Sequence, residues 1–276
     1  MRITIKLGGS ILEDAGIRER LIGEIAEINR GKHEIILVHG GGKSLNRRLA
    51  QLGMEARFID GLRVTDEATL GVAVMTLAGE VNKTLTAEMG RSGIAALGLC
   101  GADAWAVRCI PIAGTPGYPE GIGFVGKPTK VNRSFFELLL GAGIVPVVSS
   151  IAIGPEDDAA LSARFYNINA DQMASACAAG TDCDALVYLT DVPGVLDKDE
   201  KVIKALNSVD ILELRERGAI SGGMLPKTAA CLEAIDAGLN AIYILPGADR
   251  NILTDFITGN LKKGTKIYEK YENDAN

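Results

Sequence analysis

Two lysines occupy positions that local structure alone would not select. Lys6 lies near the end of the apolar run Ile3–Leu7, directly before two glycines. Lys227 follows Pro226, which fits the first position of a helix, so Lys227 would lie in the first helical turn, where the dipole disfavours a cation. The edge of a sheet would also accept Lys6, but Lys227 needs an anionic partner. A phosphate group would serve, and both lysines are therefore candidates for phosphate chemistry.

Glycine clusters follow the first two predicted strands. Gly8-Gly9 comes after Ile3–Leu7, and Gly40-Gly41-Gly42 comes shortly after Glu34–Val38. A helix is predicted after each cluster, so bare backbone N–H groups could approach a phosphate closely. Tight turns between strand and helix are the structural alternative. Two such turns in neighbouring strand–helix units, beside Lys6, favour a phosphate-binding role.

Two further glycine patterns resemble nucleotide motifs and fail as such. The segment Gly121–Gly126 matches G-x-G-x-x-G, but no strand precedes it in register, and Pro128 denies the helix that the motif requires. Pro128 also replaces the Ser or Thr of a Walker loop ending at Lys127. Gly42-Lys43-Ser44 ends like a Walker loop, but its first glycine would fall at Leu37. We therefore expect no dinucleotide site, and a glycine-rich hairpin at Gly121–Gly126.

Polar residues near two helix starts have both structural and functional interpretations. Asn169 has the form of a helix N-cap, and Asp171 suits the helix dipole, but Asp171 could also bridge two lysines and fix their positions. Asn167 lies outside this cap and is not explained by it. Arg63 precedes a helix that Asp66 begins, and it is either a surface residue or a bidentate partner for a substrate carboxylate.

Strand-like and helix-like segments alternate along the chain, which predicts an α/β fold. Such alternation is typical of a mostly parallel sheet with helices on both faces. We expect two lobes that meet near residues 155–180, with hairpins at Val107–Val131. Strands are expected at Ile3–Leu7, Glu34–Val38, Ile94–Leu99, Ile144–Val148, Ala185–Thr190 and Ala241–Leu245. Helices are expected at about Glu13–Ile28, Ala170–Ala179, Ser208–Arg217 and Pro226–Ala237. One further helix should follow the second glycine cluster and end at Leu52, and another should begin at Asp66.

Composition and charge exclude several classes of protein. The 276 residues include 29 basic and 35 acidic ones, a formal net charge of −6 without a basic stripe, which argues against binding nucleic acid. The longest apolar run, Leu138–Ile153, is too short to span a bilayer, and Arg2 and Lys6 argue against a signal peptide. Five cysteines without C-x-x-C spacing indicate reduced thiols in a cytoplasmic protein without a metal site of its own. The two histidines form no recognisable hydrolase triad.

Six short motifs, in order along almost the whole chain, resemble the amino acid kinase family. Two of them, Gly61–Thr65 and Asn167–Asp171, resemble more narrowly its acetylglutamate kinases. The resemblance implies a three-layer α/β/α sandwich with a mainly parallel central sheet and two lobes, residues 1–155 for the acyl amino acid and 156–276 for the nucleotide. The other motifs are Lys6–Ser10, His39–Gly42, Thr190–Val195 and Gly222–Lys227.

The resemblance implies a role for each matching residue. Lys6 and Lys227 would stabilise the phosphoryl group in flight, and Asp171 would orient both lysines. ATP would be the co-substrate, with Mg²⁺ carried mostly on its phosphates. The phosphate would contact Gly8 and Gly9, the acceptor would contact Gly41, Gly42, Arg63 and Asn167, and the nucleotide would contact Asp191, Val192, Pro193, Gly194, Val195, Leu196, Ala219, Ile220 and Ser221.

The implied reaction is the ATP-dependent phosphorylation of the γ-carboxylate of N-acetyl-L-glutamate in arginine biosynthesis. A carboxyl with a pKa of about 4.3 is ionised at neutral pH, so no general base is needed. A sister kinase for acetylated or carrier-linked aminoadipate in lysine biosynthesis is the nearest alternative. A catalytically silent nucleotide-sensing module is a second alternative.

Two expectations concern the whole protein. Arginine-inhibited members of the family carry an extra N-terminal helix, whereas almost nothing precedes Ile3 here. The resemblance therefore implies a homodimer without arginine feedback. An acidic protein that binds two anions must also concentrate its cations locally, so Lys6, Arg63 and Lys227 are expected to converge on one cleft.

Overall fold

An eight-stranded sheet forms the centre of the protein, in a computed structural model that describes residues 1–115, 117–118, 120–156, 164–220, 222–239 and 241–269. Its neighbouring strands are parallel throughout, except for one antiparallel pair near an edge, Ile242–Pro246 with Thr265–Tyr268. The mainly parallel sheet predicted from the sequence is thus confirmed. From edge to edge the strands are β12 (Ala205–Asn207), β14 (Thr265–Tyr268), β13 (Ile242–Pro246), β11 (Ala185–Thr190), β1 (Arg2–Leu7), β2 (Glu34–His39), β8 (Val145–Ser149) and β5 (Ala96–Leu99).

Helices pack on both faces of this sheet and make the sandwich three layers deep. One face carries α1 (Gly9–Glu13), α2 (Ala15–Arg30), α5 (Asn82–Arg91) and α10 (Ile252–Ile257). The opposite face carries α6 (Arg133–Gly141), α7 (Ala170–Gly180), α8 (Ser208–Glu216) and α9 (Met224–Asp236). A smaller apolar cluster joins α3 (Gly42–Gln51) to α4 (Glu67–Ala73). None of the described helices combines the length and apolar character needed to cross a membrane.

Alternation along the central strands decides which face each side chain reaches. In β1, Ile3, Ile5 and Leu7 pack in the apolar cluster that contains α2. Since successive residues of a strand point to opposite faces, Lys6 lies on the other face, and it contacts Asp171 of α7 there. The pleat of β1 therefore directs the Lys6 side chain away from the α2 side and towards α7.

A second sheet of four short strands closes on itself. It consists of β6 (Val107–Pro111), β7 (Val125–Val131), β9 (Ile151–Ile153) and β10 (Phe165–Ile168). The antiparallel pair of β6 and β7 confirms the hairpin predicted at Val107–Val131. β10 follows the predicted lobe boundary at residue 155 but pairs with β7 and β9, which precede it. The division into lobes at residue 155 remains a prediction.

The structure corrects three helix boundaries and adds a small hairpin. The helix predicted at Glu13–Ile28 is two helices, because Asp14 interrupts it and caps α2 by accepting a hydrogen bond from the Ile17 N–H. Asp66 does cap α4, but the helix passes through a π-helical stretch, Val74–Val81, into α5. α9 begins two residues before Pro226. The hairpin pairs β3 (Phe58–Ile59) with β4 (Leu62–Arg63).

Candidate functional site

The carboxyl ends of three neighbouring strands meet at one edge of the main sheet. β1 ends at Leu7, β2 ends at His39 and β11 ends at Thr190. These strands are mutually parallel, so the turns that follow them lie side by side. Crevices outside the carboxyl ends of parallel strands are the usual ligand sites of open α/β sheets.

Lys6, Asp171 and Lys227 form a buried ion-paired cluster at this edge. The Lys6 Nζ lies 2.7 Å from Asp171 Oδ1, and the Lys227 Nζ lies 2.8 Å from Asp171 Oδ2. Each of the three residues is only 8% exposed. One carboxylate therefore holds two ammonium groups, and the cluster keeps an excess of one positive charge.

The ionisation of the cluster follows from burial and from its mutual charges. Burial by itself would raise the pKa of Asp171, but the two ammonium groups lower it to about 2, so the carboxylate is ionised at neutral pH. Burial lowers the pKa of Lys6, and the nearby charge of Lys227 lowers it further, while Asp171 opposes both effects. The excess positive charge is costly without an anion, which makes the cluster a receptive site for one.

The glycine turns at this edge leave backbone donors free. Among the described residues, the N–H groups of Gly9, Gly41 and Gly42 have no hydrogen-bond acceptor. The N–H of Gly8 differs, because it donates to the Leu189 carbonyl at 3.0 Å. A phosphate could therefore accept from Gly9 but not from the N–H of Gly8.

A buried histidine anchors the second glycine turn. The Nδ1 of His39 lies 2.7 Å from the Gly40 carbonyl oxygen, and its Nε2 lies 2.9 Å from the Asn82 Nδ2. Asn82 Nδ2 also donates to the Val147 carbonyl at 2.8 Å, so it is a donor to Nε2, and Nδ1–H donates to Gly40. Burial lowers the pKa of His39 to about 4, which keeps it neutral. Gly41 follows with φ of +149°, a conformation that glycine permits.

A cleft of about 490 Å³ opens beside the buried cluster and is lined in part by Lys6, Gly8, Gly9 and Lys227. Of the residues predicted to contact the nucleotide, Pro193 does not line the cleft, and Ser221 lies outside the described residues. Within the described ranges, no group of three or more His, Cys, Asp or Glu side chains could hold a metal ion. The predicted nucleotide residues that do line the cleft are Asp191, Val192, Gly194, Val195, Leu196, Ala219 and Ile220.

Arg63 does not line this cleft. Its Nη2 donates to Asn46 Oδ1 at 2.5 Å and lies 3.4 Å from the Gly42 carbonyl, beside the second glycine turn. The expected convergence of Lys6, Arg63 and Lys227 on one cleft stays a prediction. The Arg63 Nη1 is buried and has no partner among the described residues. Such an unpaired donor is unfavourable unless a ligand accepts from it.

Asn167 lies in the same neighbourhood as Arg63. Its Nδ2 donates to Thr65 Oγ1 at 3.2 Å, and the Thr65 hydroxyl in turn donates to the Arg63 carbonyl at 2.9 Å. Thr65 therefore joins the two residues that the sequence predicts at the acceptor. This link depends on contacts between residues about a hundred positions apart, which no local pattern could reveal.

Comparison with known proteins decides the family. The amino acid kinase family model matches residues 1–245. The chain belongs to the amino acid kinase family. It is 41% identical over 267 residues to the acetylglutamate kinase of Acidobacterium capsulatum, covering 97% of this chain and 99% of the relative. It is 40% identical over 269 residues to the acetylglutamate kinase of Koribacter versatilis, covering 97% and 98%.

A solved structure supports the amino acid kinase fold. The structure of smu.665 from Streptococcus mutans UA159 has a TM-score of 0.79 to this chain at 24% identity, and the likeness covers 98% of this chain and 99% of that one. The three-layer sandwich with a mainly parallel sheet, predicted for the amino acid kinase family, is confirmed.

Five residues that line the cleft of this amino acid kinase received no site role from the sequence, although four of them lie within the motifs named there. Lys43 had a detectable signal, because it is the second residue of α3, where the helix dipole disfavours a cation as it does at Lys227. Lys43 was set aside because Gly42-Lys43-Ser44 does not complete a Walker motif. The five residues are Ser10, Lys43, Thr190, Gly223 and Met224.

The arrangement suits the chemistry of an amino acid kinase. Phosphoryl transfer asks the protein mainly for alignment and for cations, with little covalent work. Here the buried cluster supplies an excess positive charge, and the free N–H of Gly9 lies on the same cleft. The site can therefore hold a phosphate chain and stabilise added negative charge.

Proposed function

We propose that this amino acid kinase transfers the γ-phosphoryl group of ATP to the γ-carboxylate of N-acetyl-L-glutamate, forming N-acetyl-L-glutamyl 5-phosphate in arginine biosynthesis. The Lys6–Asp171–Lys227 cluster, whose two lysines line the cleft, carries the proposal. The choice of acceptor rests on about 40% identity to two acetylglutamate kinases over nearly the whole chain.

In the proposed reaction, a carboxylate oxygen of the acceptor attacks the γ-phosphorus as the bond to the β-phosphate oxygen breaks and ADP leaves. Lys6 and Lys227 stabilise the charge on the transferred group, and Asp171 keeps their ammonium groups at fixed positions. No proton is moved, because the acceptor carboxyl is already ionised at neutral pH. Preorganised cations of this kind act most strongly in the transition state.

The nucleotide enters as its magnesium complex, since Mg²⁺ commonly binds to substrate phosphates. Gly9 donates its N–H to the phosphate chain, and Gly8 forms the wall behind it. The apolar side chains of Val192, Leu196 and Ile220 line the cleft and suit an adenine ring. The proposed nucleotide site also includes Asp191, Pro193, Gly194, Val195, Ala219 and Ser221.

The acceptor is assigned to the region of Arg63, Asn167 and the glycine turn. The unpaired Nη1 of Arg63 donates to the α-carboxylate, and Gly41 and Gly42 offer their free N–H groups. We expect Arg63→Lys to raise the KM for the acceptor about tenfold with a smaller change in kcat, because a point charge cannot reproduce the fork. Arg57→Lys, at an exposed position, is the control. An unaltered KM would remove Arg63 from acceptor binding.

A coupled assay for ADP release tests the reaction. N-acetyl-L-glutamate and N-acetyl-L-aminoadipate are compared in parallel. We expect kcat/KM to favour the glutamate by about 100-fold, because one additional methylene in the acceptor can change kcat/KM by this amount. The reverse preference would indicate the sister kinase of lysine biosynthesis. Tight binding of ATP without turnover of either acceptor would indicate the silent nucleotide-sensing module.

The proposal includes a cytoplasmic homodimer that arginine does not inhibit. All five cysteines are free, as in proteins of a reducing compartment. The assay repeated with millimolar arginine checks the regulatory part, and inhibition would contradict it.

A further inference from the structure

Tyr188 is a large aromatic residue buried directly beneath the lysine cluster. It lies in β11 opposite Lys6 of β1 and is 0% exposed. Its neighbours Val187 and Leu189 face the α2 side of the sheet, so its ring lies on the opposite side, in the apolar cluster of α7 and α9. The other side chains of β11 on this face, Leu186 and Thr190, are smaller, so packing alone does not require a tyrosine here.

The ring face of Tyr188 contacts the ammonium group of Lys227. Asp171 neutralises this charge only in part, because it also pairs with Lys6. The Lys227 Nζ lies 5.1 Å from the ring centroid. Asp171 is shared between two ammonium groups, so one positive charge remains unpaired in a buried setting. The negative face of an aromatic ring attracts such a cation, most strongly where water is excluded.

The hydroxyl of Tyr188 holds the ring in place from the other end. It donates to Ser175 Oγ of α7 at 2.7 Å and lies 3.2 Å from the Asp171 backbone carbonyl. Ser175 donates in turn to the Ala230 carbonyl of α9 at 2.9 Å. Burial raises the pKa of Tyr188, so the hydroxyl remains a donor. The same side chain is thus bonded to α7, which carries Asp171, and linked to α9, which carries Lys227.

We propose that Tyr188 is a positioning residue for phosphoryl transfer. Its ring holds the Lys227 ammonium against the cleft, and its hydroxyl fixes the ring relative to the two helices. The inference rests on the proposed kinase reaction, in which Lys227 must already be placed when charge develops on the phosphoryl group. Substrate does not contact Tyr188, which acts only through Lys227.

A fluorination series tests the electrostatic contact separately from packing. Tyr188→Phe is the reference, and phenylalanines with one, two and three ring fluorines are then incorporated at position 188. Fluorine withdraws charge from the ring face with little change in shape. We expect kcat to fall stepwise, to about one tenth of the reference with three fluorines, while KM for MgATP stays within about twofold. A purely structural tyrosine would give a flat kcat, which would overturn the proposal.

A measurement on the unmodified protein covers the case in which position 188 tolerates no change. Protons on Cε of Lys227 should resonate upfield of those of other lysines, because the adjoining Nζ lies over the ring face, and Lys227→Arg assigns the signal. An unshifted signal would refute the contact. Absence of turnover in the wild-type protein would refute the proposed kinase reaction, whereas an active wild type with a flat fluorine series would refute only the role of Tyr188.

Discussion

Asp171 and Lys227 differ in what their removal would leave behind. Removing the carboxylate would leave two like charges buried together, and stripping one partner from a buried ion pair typically costs 3–5 kcal/mol. Removing Lys227 instead leaves Lys6 and Asp171 as a neutral pair at 2.7 Å. Lys227 therefore contributes little to the stability of the protein without a ligand. Its benefit should arise mainly when an anion is bound.

Lys227→Met should consequently separate catalysis from stability. We expect kcat to fall by about 10² to 10³, the usual loss on removing one preorganised transition-state contact, with a much smaller change in KM for MgATP. The melting temperature should change by only a few degrees. The coupled assay and a melting curve measure both quantities, with the exposed Lys262→Met as control. Unchanged kcat would exclude Lys227 from the mechanism.

At the scale of elements, the turn between β1 and α1 contains two glycines with different requirements. A Cβ on Gly8 would lie 2.9 Å from the Leu189 carbonyl oxygen, which is backbone and cannot move freely. A Cβ on Gly9 would meet nothing within 4 Å. Folding therefore explains the first glycine but not the second. The free N–H of Gly9 and its position on the cleft agree with the proposed close approach of a phosphate group.

The two alanine variants of this turn should differ accordingly. Gly8→Ala should lower the melting temperature, because the strand behind it must shift. Gly9→Ala should leave the melting temperature unchanged or slightly higher, yet raise the KM for MgATP about tenfold or more, because the methyl group would stand where the phosphate chain lies. Calorimetry and assay of both variants check this. Equal nucleotide affinity in Gly9→Ala and wild type would contradict the phosphate site.

The turn between β2 and α3 makes stability depend on pH. His39 has a pKa of about 4 in the folded protein because it is buried, whereas an unfolded histidine titrates near 6.5. Below about pH 6.5 this histidine binds a proton in the unfolded chain, whereas in the folded protein it stays neutral down to about pH 4. The free energy of unfolding should therefore decrease as pH falls from about 6.5 to about 4, by up to about 3 kcal/mol from this residue.

Urea unfolding across that pH range measures the effect of His39. His39→Asn should lose this part of the pH dependence, whereas His33→Asn, at the only other histidine, should retain it. Identical slopes in the wild type and the His39→Asn variant would show that protonation of His39 is not coupled to folding.

Sequence predicts those elements whose signals are local. Glycines after apolar runs mark the ends of β1 and β2, so the edge that carries Lys6 could be predicted. β9 and β10 are only three and four residues long and pair with each other and with distant strands, so no periodicity marks them. The π-helical stretch Val74–Val81 has the same apolar spacing as an α-helix. In the sequence, Tyr188 looks like one more residue of a buried strand, because its partners come from two separate helices, α7 and α9.

At the scale of the whole molecule, one sheet joins the two halves of the chain. β1 from the first half lies beside β11 from the second, and the cluster spans that junction. The predicted lobes are therefore connected through hydrogen bonds at the centre of the protein. A net charge of −6 is compatible with the proposed anionic substrates because Lys6 and Lys227 are held together at this junction.

The edges of the same sheet bear on the proposed homodimer. Among the described residues β5 pairs only with β8, its residues Ala96–Leu99 carry no charge, and Leu97 is 40% exposed. Uncharged edge strands are usually covered, because they offer unpaired backbone groups to another chain. We expect sedimentation to give a species of about 58 kDa, twice the 29.1 kDa of one chain. Leu97→Lys should shift it to the monomer, and Ala205→Lys on the opposite edge strand, β12, should not. A monomeric wild type would refute the dimer, and dissociation by Ala205→Lys alone would move the interface to the other edge.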